Sequence, residues 1–194
     1  MHSGWGVLVA VSGDARSLAV IDRRRIVVAD PQAPGGNQPY HHAANLELPE
    51  SAQYLADQAV VSLRLSRRAV AKAIQALKGR GYRTTGAAML MAAGRPLPAL
   101  PAILASHPLI HTAEGEFFRQ AVTIACERLA VAVTAMRERD LDARAAAAFG
   151  RTATRVVHTI SQAGGSIGPP WTKDHKAAAL AASIVLVRRA AARP

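Results

Sequence analysis

Between Pro49 and Gly79 the hydrophobic pattern has the period of one long helix. Val60, Leu63, Val70, Ile74 and Leu77 fall on one face, Arg64, Arg68 and Lys72 stack four apart on another, and Gly79 and Gly81 stop the run. An apolar helix face has to be buried against another layer, so the flanking sequence decides the architecture. Before the helix stand three short apolar, β-branched runs, "VLVAVS", "SLAVID" and "RIVVAD", within residues 6–30. Gly13 and Asp14 supply turn chemistry that joins the first two as an antiparallel hairpin, and the Arg23, Arg24, Arg25 segment reads as the turn into a third strand. Residues 31–48, containing "PQAPGGNQPYHH", read as an irregular loop because Pro and Gly interrupt every periodicity.

After the long helix, "GAAMLMA" predicts a short buried strand, "GRPLPALP" a proline-broken turn and "PAILAS" a brief helix. "HTAEGEFFRQAVTIACERLA" predicts a helix capped by Thr112, with Glu114 and Glu116 in its first turn beside the helix dipole. "VAVTAM" is a further buried strand. Residues 140–170 predict a helical insertion, with Asp140 as an N-cap and Gly150 as a stop, before a final helix that starts at Thr172 and runs into a basic tail over 188–194. The expected fold is a single α/β domain over 1–194: a mixed sheet of about five strands, the first three antiparallel, covered by helices.

The chain of 194 residues carries a formal net charge of +11, which suits a polyanionic partner such as nucleic acid. Ala and Arg are the usage of a high-GC, bacterial genome, so the distribution of charge is better evidence than its total. One cysteine, Cys126, excludes an intramolecular disulfide and fits a reducing cytoplasm. The longest apolar run, Ala177 to Val187, is far shorter than the ~20 residues that cross a bilayer, and "GVLVAV" has no basic leader. A cytoplasmic protein with no membrane partner is expected.

The order of elements resembles the ribonuclease H-like superfamily, and the last third looks most like its Holliday-junction resolvase branch. There "FGRTATRVVHTISQAG" leads into an Ala-rich final helix, "DHKAAALAASIVL". The resemblance implies two metal ions held by carboxylates from the first strand, the fourth strand and the start of the final helix, clamping a phosphodiester. Residue by residue the ligands are missing. Ser12 stands where the first-strand acid belongs, Asp14 is displaced into the turn, and "AAMLMAAG" carries no acid. Aligning "AALA" with the family's "DALA" puts His175 at the first ligand position of the last helix and Ala178 at the second.

The function expected is therefore a ribonuclease H-like domain that has lost two-metal nuclease chemistry. It would bind nucleic acid through Arg64, Arg67, Arg68 and Lys72, or a protein partner, and it would need no cofactor. One alternative is an atypical metal-dependent nuclease or phosphodiesterase using Glu114, Glu116, Asp174 and His175. In that case Glu114, Asp174 and His175 would hold Mg²⁺ or Mn²⁺. The other is a homodimeric interaction protein. His107 and His111 have the spacing of helical metal ligands, but Pro108 biases His107 out of the helical region, and His41 and His42 point to opposite sides if extended, so no zinc site is expected. "WTKDHK" reads as a helix start, with Thr172 as N-cap and Asp174 in the first turn.

Overall fold

The computed structural model describes residues 1–92 and 96–191. The chain divides into two compact units, the first comprising Met1–Gly6, Ile26–Arg83 and Ala92–Ala130, the second Val7–Arg25, Thr84–Met91 and the chain from Val131 onward.

Most of a hairpin of β1 (Trp5–Ser12) and β2 (Ala19–Val27), namely Val7–Arg25, opens the second unit. Its turn is built as the sequence dictates. Gly13 lies at φ +99, where a Cβ would collide with the Ser17 carbonyl, and the Asp14 carboxylate accepts the backbone N–H groups of Arg16 (2.7 Å) and Ser17 (2.9 Å). The third strand expected after it does not form: β2 runs straight through Arg23–Arg25. Three arginines contain no chain-reversing residue, and an extended backbone accommodates their long stems.

Two further strands, β3 (Ala87–Met91) and β4 (Val133–Arg137), pair in parallel with Met89 opposite Ala135. The five-stranded mixed ribonuclease H-like sheet is thus not the architecture found. Among the described residues there are two sheets of two strands each, β1–β2 and β3–β4. The runs at β1, β3 and β4 form strands and the second and third runs merge into β2, but periodicity does not say which strands pair.

The helices of the first unit are α1 (Pro39–Ala43), α2 (Leu48–Gly79), α3 (Leu100–Leu104) and α4 (His107–Arg128). α1 lies inside the segment expected to be an irregular loop. Gly35, at φ +68, precedes it where a Cβ would strike the His42 side chain. α2 packs along α4, and its buried stripe keeps Val70 and Leu77 of the aliphatic face read from the sequence but also takes in small residues. Val60 is 69% exposed, and the buried positions are Ser51, Leu55, Ser62, Ser66, Val70, Ala73 and Leu77. Small residues at the contact let two helices approach closely. Among the described residues the buried Ser62 and Ser66 hydroxyls have no hydrogen-bond partner. On α4, Phe118, Ala121, Val122, Ala125 and Cys126 are buried. Burial, and secondarily the Glu127 carboxylate, push the Cys126 thiol up to about 11.

The second unit's helices follow β4: a 3₁₀ turn Glu138–Asp140, α5 (Leu141–Phe149), a 3₁₀ turn Gly150–Thr152, α6 (Ala153–Gln162), α7 (Gly164–Ile167) and α8 (Lys173–Ala191). The helical insertion expected over 140–170 is the α5–α7 region. Of the basic tail, 188–191 belongs to α8, and 192–194 lies outside the described residues, as does part of the "GRPLPALP" turn. The core of this unit gathers Met136, Leu141, Phe149, Val156 and Ile160 around Ala179, Ala181 and Ile184 of α8. Among the described residues no helix is long and apolar enough to cross a membrane.

Candidate functional site

Arg64, Arg67, Arg68 and Lys72 are all exposed on α2. The three arginines, with Arg128 from the last turn of α4, line an open groove of about 480 Å³ together with the apolar Val60, Leu63 and Ala71. Lys72 lies on the same helix outside that lining. Arg128 was not among the expected residues, because only the packing of α2 along α4 brings it to a face 60 positions earlier in the chain. No Asp or Glu occurs in the sequence between Asp57 and Glu114. Among the described residues none of these five cations makes an ion pair.

A second constellation lies at the other end of α4. This helix starts at His107, not at Thr112. Ser106 is extended (φ −134, ψ 107), Pro108 occupies the first turn, where its missing N–H has no helical partner to lose, and the Thr112 hydroxyl donates to the Pro108 carbonyl at 3.0 Å. Two expectations fall with that boundary. Glu114 and Glu116 lie beyond the first turn, so they are not helix-dipole partners. His107 and His111 do share a helical face, one turn apart.

His41 of α1 joins them. Its Nε2 lies 3.4 Å from Nε2 of His107, and the nearest ring nitrogens of His41, His107 and His111 all fall within 4.8 Å of one another. The rings meet edge to face, with centroids 4.5–5.3 Å apart. Behind His41 sits Glu114, only 4% exposed, whose Oε1 accepts from His41 Nδ1 at 2.8 Å and from the His41 backbone N–H at 3.3 Å. That bond fixes the proton on Nδ1 and leaves the Nε2 lone pair facing His107. Burial first, and then the Glu114 carboxylate, raise the Tyr40 hydroxyl above its ordinary value. His42 turns elsewhere and packs on Tyr54, ring centroids 4.5 Å apart. Glu116 pairs with Arg119 at 3.6 Å.

Asp174 and His175 belong to the second unit, at the start of α8. The Thr172 carbonyl accepts the Lys176 N–H at 3.1 Å, which makes Thr172 the N-cap and His175 the third helical residue. His175 Nδ1 accepts the Thr172 backbone N–H (3.3 Å) and faces its hydroxyl (2.8 Å). This is the reciprocal half of a capping box, with imidazole in place of the usual Glu or Gln. The ring is 5% exposed and lies 5.6 Å from that of Trp171, whose Nε1–H donates to the Ile160 carbonyl. Burial, with the Arg23 guanidinium second, lowers the His175 pKa from its ordinary 6.5, while Asp174 opposes the shift.

A depressed histidine pKa stabilises the neutral folded form. Its contribution is present above the unfolded value of 6.5 and is lost as pH falls from there through the folded value. Urea midpoints followed between about pH 7 and pH 5 should therefore fall with pH, and less steeply in His175→Gln, which keeps a neutral acceptor at the capping-box position. An unchanged pH slope in that variant would remove His175 from the account. Asp14 is engaged in the β1–β2 turn, where the backbone N–H groups of Arg16 and Ser17 hold its carboxyl below the usual range.

The structure thus gathers Glu114 with three histidines in the first unit and builds Asp174 and His175 into a helix start in the second. No protein-family model matches the chain, and no curated protein matches it.

Proposed function

We propose that the chain is a nucleic-acid-binding module that engages phosphates through the outer face of α2. The observation that carries this reading is the uncompensated cluster of Arg64, Arg67, Arg68 and Arg128 around one groove, flanked by Lys72, with no acidic residue in the lining. A solvated helix face ordinarily interleaves both signs of charge. Here, among the described residues, the cations form no ion pair, and four of the five are guanidinium forks that bind phosphate oxygens two at a time. Two-metal phosphodiester cleavage forms no part of the reading, since Glu114 is bonded to His41, Glu116 pairs with Arg119 and His175 caps its own helix.

Binding of this kind releases counterions, so it weakens as salt rises. Each phosphate contact adds about 0.9 to the log–log slope on B-DNA. Titration of a fluorescent duplex at several salt concentrations should give a steep slope for the wild type. Arg64→Ala/Arg67→Ala/Arg68→Ala should reduce it by roughly 2.7, and Arg128→Ala alone by about 0.9. Salt-independent binding, or a triple variant that binds as the wild type does, would overturn the proposal.

A further inference from the structure

We propose that His41, His107 and His111 bind one divalent transition-metal ion of the zinc class, with Glu114 as the carboxylate that orients His41. This inference is independent of nucleic-acid binding. An ion in tetrahedral coordination lies about 2.0–2.1 Å from each imidazole nitrogen, which places two such nitrogens about 3.3–3.4 Å apart. His41 Nε2 and His107 Nε2 are 3.4 Å apart, and the His111 nitrogen completes a set spanning at most 4.8 Å. Two of the ligands come from successive turns of α4, which sets their spacing. The third comes from α1 and is held from behind.

Glu114 is what separates this cluster from three rings that merely pack. It is a buried carboxylate, and among the described residues the cation-capable side chain it touches is His41, with no lysine or arginine bonded to it. A buried carboxylate needs a compensating charge. Glu114 on Nδ1 fixes the tautomer, turns Nε2 outward as a ligand and raises its basicity, which is the arrangement metal-ligating histidines ordinarily have. A cation at Nε2 supplies the compensating charge through the ring.

The donor set also selects the ion. Three imidazoles suit Zn²⁺, Cu²⁺, Ni²⁺ or Fe²⁺, whereas Mg²⁺ and Mn²⁺ prefer carboxylate and water oxygens. His107 and His111 are exposed, so a fourth coordination position is open to water or an external ligand, as in zinc sites with three protein ligands.

The test uses the full chain without a polyhistidine tag, stripped with a chelator and titrated with Co²⁺. The expected result is one ion per chain, with the visible absorption of four-coordinate Co²⁺, displaced by Zn²⁺ but not by Mg²⁺. Glu114→Gln should keep the stoichiometry and weaken binding by roughly 10–100-fold, and His107→Ala and His111→Ala should weaken it by more than that. His42→Ala, whose ring packs on Tyr54, should bind as the wild type does. Because His107 and His111 are exposed, both variants should fold, and circular dichroism checks this. Absence of 1:1 binding by the wild type, or affinity unchanged in His107→Ala and His111→Ala, would overturn the site. Affinity unchanged in Glu114→Gln alone would overturn the role of the carboxylate.

Discussion

Ala179→Asp is expected to leave the second unit unfolded at 25 °C. Ala179 is fully buried on α8, within the core that holds Phe149, Val156, Ile160 and Ile184. The hydroxyl beside it, on Ser183, already donates to the Ala179 carbonyl at 2.7 Å, so a new carboxylate there finds no committed donor. Burying it unpaired costs several kcal/mol whether it stays ionised or takes up a proton, against a total stability of about 5–15 kcal/mol for a domain. Amide exchange should show α8, β3 and β4 unprotected in this variant. Ala178→Asp is the control: Ala178 is half-buried, so its carboxylate keeps access to water and should cost far less. Native-like protection of α8 in Ala179→Asp would show that this face tolerates a charge.

In the first unit the largest effect should come from Phe118→Ala. Phe118 is 1% exposed and is among the largest fully buried side chains of the chain. Removing a buried phenyl ring loses its transfer free energy and leaves a cavity, together about 3–5 kcal/mol. Its neighbour Phe117 is half-buried and meets Tyr40 edge-on, ring centroids 6.0 Å apart. Phe117→Ala should therefore lower the denaturation midpoint less than Phe118→Ala. Equal midpoints for the two variants would contradict the assigned burial.

What could be read from sequence was whatever local chemistry decides. The long helix expected from Pro49 to Gly79 is α2, Leu48–Gly79, because its period is sustained over many turns and glycines close it. The hairpin was legible in Gly13 and Asp14, and the helix start at Thr172 in its capping residues. Pairing was not legible. Which strands lie side by side depends on contacts distant in sequence, and Arg23–Arg25 carried no conformational signal strong enough to mark a turn. The α2 face read by size contains Val70 and Leu77, which are buried, but not Ser62, Ser66 and Ala73, which are buried as well.

Two features hid the histidine cluster. Pro108 was weighed as a barrier to helix at His107, although proline in a first turn starts helices as readily as it breaks them elsewhere. With the N-cap placed at Thr112 rather than at Ser106, His107 and His111 lose their common face and Glu114 becomes a dipole partner. His41, on a five-residue helix among Pro and Gly, offered nothing local to connect it with residues 66 positions away. The signal available was the four-residue spacing of His107 and His111 itself.

The burial of Cys126 gives the first unit a built-in chemical clock. A thiol that is 6% exposed and pushed up to about 11 by burial is closed to an alkylating reagent twice over, by access and by lack of thiolate. Labelling then proceeds through transient opening of the structure around it. With a single cysteine in the chain, each labelled molecule records one such event. The ratio of the native labelling rate to that of the unfolded chain measures the free energy of that opening, separately from whatever the second unit does.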